Sequence, residues 1–264
     1  MSELLSLPDG FKMLAHVPPG AGQDTPVLVT IHGISRNARE HLDTFAASLG
    51  DRCAVLAPRF NEARFPSYQR LGIGRDEPRA DLVFEAALDQ MAASAGLSTA
   101  RMHMFGFSGG AQFAQRYAML RPARVASLQL ASAGWYTFFD AGAPWPRGCR
   151  TNDPAGRKIL ANEAFFHRIP CHVYVGENDT ERDSALRAGP KIDAQQGETR
   201  LTRAHAWVAH LTARRGPLRA PPSFTALHGC GHDFAAACAA DGGLLVQSVA
   251  RAALSPDLPA HATA

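Results

Sequence analysis

The residues best suited to chemistry in this 264-residue sequence are Gly106-Phe107-Ser108-Gly109-Gly110, a serine with glycines close on both sides. A short apolar run (Met102, Met104, Phe105) precedes them, and apolar residues at helical spacing follow (Ala111, Phe113, Ala114, Tyr117, Ala118). A G-x-S-x-G turn between a strand and a helix strains the serine backbone and stands its hydroxyl clear of the sheet. Small residues at 106 and 110 let the strand and helix approach one another. The start of the helix also stabilises negative charge beside the serine. A serine hydroxyl is a weak nucleophile at neutral pH. It needs a base within hydrogen-bond reach, and a third group to orient that base.

The base is expected after the last strand, in His228-Gly229-Cys230-Gly231-His232-Asp233-Phe234. His232, preceded by glycine and entering the final helix, is the choice, and His228 at the strand end is its competitor. The other nine histidines read as surface or packing residues. A carboxylate just past a late strand, at the same sheet edge as the serine, supplies the acid. Gly176-Glu177-Asn178-Asp179 offers Asp179, with Glu177 and Asp183 as alternatives. Backbone donors must also face the oxyanion of a tetrahedral intermediate, and losing one typically costs about 3–4 kcal/mol of barrier. The amide of Gly109 is one expected donor. The amide of Ile34, in His32-Gly33-Ile34 after an early strand, is the other.

These groups need a scaffold that brings them to one edge. The run at 27–31 (VLVTI) reads as a strand buried on both faces. Further strands are expected at 53–57 (ended by Pro58), 102–105, 124–131, 171–175 and 224–227, with an edge strand at 11–16. Helices are expected at 37–49, at 77–95 with Leu82, Phe84, Ala87, Leu88 and Met91 inward, at 200–214 with a core-packing stripe, and at 234–254. Strands alternating with helices predict an α/β fold: a mostly parallel central sheet flanked by helices, in one domain spanning 1–264. Residues 255–264 read as a mobile tail. The aromatic-rich segment 134–168 is either a short lid-like insertion walling a substrate pocket, with Trp135 and Tyr136 as substrate contacts, or an excursion whose aromatics anchor it to the core.

Composition narrows the partners. The formal charge is +3, only Lys12, Lys158 and Lys191 of the 27 basic residues are lysine, and the arginines are scattered. That is no footprint for a nucleic acid. No stretch approaches the roughly 18 apolar residues of a membrane span. The N-terminal segment has an acidic residue at position 3 and an apolar run too short for an export signal. Five cysteines, an odd number without metal-ligand spacing, point to reduced thiols in a cytoplasmic protein. Cys230 lies near His232 but has no activating cation in sequence. No metal or cofactor is expected, and the sequence is silent on oligomeric state.

With these residues placed, the chain resembles the α/β-hydrolase superfamily over nearly its whole length. More narrowly, it is similar to small bacterial hydrolases described as poly(3-hydroxybutyrate)-depolymerase-like. The resemblance rests on HGISRNARE at 32–40, FGFSGGAQFAQRYAM at 105–119, GWYTF at 134–138, GENDTERD at 176–183 and HGCGHDF at 228–234. It implies a Ser108, Asp179 and His232 triad and cofactor-independent hydrolysis of small carboxylic esters. The substrate is left open. Acyl transfer, amide, lactone or polyester cleavage on the same triad, and a non-catalytic scaffold that binds a small molecule, all remain compatible with it.

Overall fold

The computed structural model describes residues 2–6, 11–216 and 220–255. The apolar run Val27–Ile31 is buried at every position, as a strand covered on both faces must be. It forms β3 of an eight-stranded sheet. The others are β1 (Ser2–Ser6), β2 (Lys12–His16), β4 (Ala54–Arg59), β5 (Met102–Phe107), β6 (Val125–Ala131), β7 (Cys171–Gly176) and β8 (Ser223–Leu227). Their order is β1-β2-β4-β3-β5-β6-β7-β8. Only the β1–β2 and β2–β4 pairs are antiparallel.

Helices cover both faces. They are α1 (Ala38–Leu49), α2 (Ala80–Ala95), α3 (Gly109–Leu120), α4 (Pro154–Ala161), α5 (Glu163–Phe166), α6 (Pro190–Gln196), α7 (Arg200–Arg214) and α8 (Phe234–Leu254). On one face α1 and α8 bury Leu42, Phe45, Leu245 and Val249 against Phe105. On the other, Phe84 of α2, Phe113 and Tyr117 of α3, and Trp207 and Leu211 of α7 share a second core. This is the α/β class that the alternation of elements predicts.

Several local features differ from expectation. The strand at 12–16 is not the sheet edge, because β1 pairs along its outer side. β4 runs through Pro58 to Arg59. Pairing with β3 ends at Leu56, so the missing amide at Pro58 lies past the last parallel pair. α2 begins at Ala80 rather than Glu77, since Pro78 disfavours helical backbone before it and Arg79 is still extended. Its inward face is Phe84, Ala87, Leu88 and Met91, while Leu82 is 50% exposed. α8 is broken at Ala240–Gly243, where Asp241, Gly242 and Gly243 take φ of 50°, 68° and 84°.

Segment 134–168 is clasped by the helices that follow it. Tyr136 exchanges backbone hydrogen bonds with the Gln196 side chain, Trp207 Nε1 donates to Thr137 O at 3.0 Å, and the Phe139 amide donates to His210 Nε2 at 3.1 Å. Phe138 and Phe139 are buried. These aromatics serve as anchors. The expected tail at 255–264 falls, apart from Ser255, outside the described residues. Among the described residues no helix is long and apolar enough to cross a membrane.

Candidate active site

β5 ends at Phe107 and α3 starts at Gly109, which leaves Ser108 to make the whole turn. Its φ of 53° and ψ of −114° are unusual for a residue with a side chain, a conformation that costs about 1–3 kcal/mol. The surroundings hold it there. The Ser108 amide donates to Ala131 O of β6 at 2.8 Å, and the Gln112 amide donates to Ser108 O at 3.2 Å. Both flanking glycines are required by contact. A Cβ at Gly106 would lie 2.4 Å from the Gly110 carbonyl, and one at Gly110 would lie 2.0 Å from Ile31 O.

Two later loops bring a base and an acid to this serine. His232 Nε2 lies 3.0 Å from Ser108 Oγ, and His232 Nδ1 lies 2.8 Å from Asp179 Oδ2. A carboxylate only accepts, so Nδ1 carries the ring proton and Nε2 presents a lone pair to the serine hydroxyl. The Phe107 ring stacks on the imidazole with centroids 5.2 Å apart, which fixes its plane. The acid and base loops are joined by the Asn178 amide, which donates to Cys230 O at 2.9 Å.

Asp179 is 1% exposed, and its second oxygen meets the equally buried Arg200 of α7 at 3.3 Å. Arg200 also pairs with Asp183 at 2.9 Å, so Asp183 stands behind the arginine and away from the imidazole. Glu177 instead contacts His228, on the exposed side of the loop, at 2.9 Å. Of the candidates, the structure brings Ser108, His232 and Asp179 together and leaves Glu177, Asp183 and His228 outside.

The expected oxyanion donors sit beside the serine. Gly109 opens α3, where the first amides have no partner within the helix. A Cβ on Gly33 would lie 3.5 Å from Ser108 Cβ, and the Ile34 side chain comes within 3.1 Å of a Cβ built on Gly109. The loop after β3 thus lies against the turn. What holds it was not legible beforehand. The Phe60 amide donates to His32 Nε2 at 3.0 Å, so His32 Nδ1 carries the proton and donates to Gly33 O at 2.7 Å. Burial lowers the His32 pKa to about 4 and keeps the ring neutral. Tyr68 Oη donates to His32 O at 2.8 Å. A histidine-glycine pair ending a buried strand was the available signal for His32; Tyr68 sits in an irregular stretch with none.

Trp135 and Tyr136 part company. Tyr136 is fully buried and stacked on Trp207 at 4.7 Å, a packing position rather than a pocket wall. Trp135 is 5% exposed and surrounded by arginines. Cys230 is buried, its thiol pKa raised by that burial, and its Sγ donates to Gly231 O at 3.2 Å. It is a protonated packing residue. Among the described residues no group of three or more His, Cys, Asp or Glu side chains could hold a metal ion.

No protein-family model matches the sequence, and no curated protein is similar to it. Solved structures are. Poly(aspartic acid) hydrolase-1 from Sphingomonas sp. KT-1 superposes with a TM-score of 0.75 at 24% identity, over 95% of this chain and 97% of that one. A poly(3-hydroxybutyrate) depolymerase from Bordetella parapertussis gives 0.74 at 23% identity, over 95% and 89%. The chain has the α/β-hydrolase fold. A fluorophosphonate-binding serine hydrolase of Staphylococcus aureus is similar too, at a TM-score of 0.62 and 13% identity, over 96% of this chain and 97% of that one. In this α/β-hydrolase fold, Ser108 occupies the strand-to-helix turn at the sheet edge, and the loops after β3, β7 and β8 converge on it.

Proposed function

We propose that the protein is a serine hydrolase that cleaves carboxylic esters through an acyl-enzyme on Ser108. The observation that carries this reading is the unbroken chain from Ser108 Oγ through His232 to buried Asp179, at 3.0 and 2.8 Å. His232 Nε2 takes the hydroxyl proton as Oγ attacks the ester carbonyl. The oxygen that becomes negative meets the amides of Gly109 and Ile34. His232 then returns the proton to the leaving alcohol oxygen as the C–O bond breaks, leaving the acyl group on the serine. A water molecule repeats the sequence: His232 takes its proton, the hydroxide attacks the acyl carbonyl, and the acid departs as Ser108 is reprotonated. Asp179 keeps the imidazole in the required tautomer and stabilises its positive form. A cytoplasmic location belongs to the same reading, since five cysteines suit a reducing compartment.

The test is turnover of a p-nitrophenyl ester chain-length series, with matched amides and lactones alongside. Ser108→Ala is expected to lower ester turnover by at least about 10⁴-fold with an unchanged urea midpoint. Ester turnover retained by a folded Ser108→Ala protein rejects the reading.

A further inference from the structure

Three guanidinium groups surround one ring next to the candidate site, and among the described residues no carboxylate forms an ion pair with them. The central carbons of Arg116, Arg187 and Arg70 lie 4.3, 5.4 and 5.7 Å from the centre of the Trp135 ring. Arg116, on α3, is fully buried. Its Nε donates to Thr137 Oγ1 at 2.9 Å, and its Nη1 donates to Gln69 O at 2.5 Å and Gln112 Oε1 at 3.2 Å. Its Nη2 is buried with no partner, as is Nε of Arg70. Arg187 is exposed. The cluster works against itself. Burial lowers the Arg116 pKa most, and the charges of Arg70 and Arg187 lower it further.

Of the neighbouring carboxylates, Glu77 partly offsets the burial of Arg70 by its charge, but it forms no hydrogen bond with it. Glu77 accepts from the Ser67 amide at 2.9 Å, and Asp140 accepts from the Gly142 amide at 2.8 Å. Asp153 accepts from the Trp145 amide at 3.1 Å, and Asp193 accepts from Arg182 and Arg203, each at 2.9 Å. Trp135 and Arg187 also line a cavity of about 680 Å³ whose other charged walls are Arg147, Arg150 and Lys191, with no acidic residue among its lining. Cations that outnumber the counter-charges in a cleft focus a field that draws in anions. Arginine forks then hold carboxylate or phosphate oxygens in pairs.

The cluster belongs to the same sheet edge as the serine. Trp135 follows β6, whose last residue accepts the Ser108 amide hydrogen bond, and Arg187 lies on the loop from β7 that also carries Asp179. Gly134 abuts Gln112, one helical turn past Ser108: a Cβ on it would lie 3.0 Å from Gln112 Nε2. Arg116 is a further turn along, and helical side chains lean back toward the helix start. Along α3 the Arg116 backbone is therefore about 12 Å from that of the serine, at 1.5 Å of rise per residue.

Resting on the hydrolase reading above, we propose that the arginines around Trp135 bind an anionic group of the substrate, so that the protein prefers esters carrying a carboxylate or phosphate over neutral ones. Its substrate class is then an anionic ester in which an extended chain separates the charge from the scissile carbonyl.

A matched pair of esters tests this: mono-p-nitrophenyl adipate, which carries a carboxylate, and neutral p-nitrophenyl hexanoate of the same chain length. The expected kcat/KM ratio favours the adipate by about tenfold or more. Arg187→Gln and, separately, Arg70→Gln are expected to lower that ratio about tenfold, mainly through KM. Raising salt from about 20 mM to about 500 mM should also lower it. A ratio near or below one, or one that neither variant moves, overturns the proposal. A binding arm separates the two readings: tryptophan fluorescence of Ser108→Ala titrated with adipate and with inorganic phosphate. Saturable binding of either anion, weakened at least fivefold by adding Arg187→Gln, supports the anion site even if no ester is cleaved. Ester cleavage with no saturable binding of either anion sinks the anion site and leaves the hydrolase reading standing.

Discussion

Asp179 uses its two oxygens for different purposes: one orients His232 and the other meets Arg200 inside the protein. Asp179→Asn keeps the shape but can donate to the imidazole and so stabilise the wrong tautomer. The expected result is a fall in kcat of about 10³–10⁴ with little change in KM, read from steady-state ester kinetics. His32 is a second residue whose protonation matters, through stability rather than chemistry. Burial holds its pKa near 4, against 6.5 for the unfolded chain. As pH falls from about 6.5 to about 4, the unfolded chain takes up a proton at this position that the folded chain refuses. The stability is full above that window and is lost within it, by up to about 3 kcal/mol from His32. Urea midpoints at pH 7 and pH 4.5 should differ less in His32→Asn than in the parent. The residues that carry a backbone signature, Ser108 and Gly109, were legible in the sequence, and so was His232 from its place after the last strand. Asp179 was legible as the preferred of three acids, because Glu177 and Asp183 share its loop and only folding shows which oxygen faces the imidazole. His32 gave only the signal of a histidine-glycine pair ending a buried strand, and its partner, the amide of Phe60, lies on another loop.

At the scale of elements, the turn between β5 and α3 is set by backbone contact. The carbonyl of Ile31 on β3 occupies the space that any side chain at position 110 would need. Gly110→Ala is therefore expected to destabilise the protein by about 3 kcal/mol or to prevent soluble expression, measured by urea unfolding. Unchanged stability in that variant means β3 and α3 are less tightly apposed than described. Apolar runs located the strands at 27–31, 102–105 and 171–175 because burial on both faces dictates their composition. Element ends were less legible. Pro58 looked like a stop, yet it lies beyond the last β3–β4 pair and is harmless there. Leu82 looked inward from its apolar side chain, yet it lies about 200° round the helix from buried Phe84 and is half exposed. The break in α8 had a pair of glycines as its only sign.

Across the whole molecule, the parallel sheet explains how side chains 124 positions apart in the chain come within hydrogen-bond distance. Strands β3, β5, β6, β7 and β8 all point the same way. The loops holding Ile34, Ser108, Trp135, Asp179 and His232 therefore emerge along one edge. Two packed layers of helices keep that edge fixed while the antiparallel β1 and β2 extend the far side. The alternation of strands and helices made this architecture legible. The clustering of Arg70, Arg116 and Arg187 around Trp135 was not, because those arginines are spread over more than a hundred residues of sequence. The central claim is that this edge makes one hydroxyl, among all those in the chain, unusually reactive. Intact-mass and peptide mass spectrometry after treatment with a fluorophosphonate tests it most directly. The expected result is a single adduct on Ser108, slowed at least about 100-fold in His232→Ala. No adduct, or one on another residue at the same rate in both proteins, would contradict it.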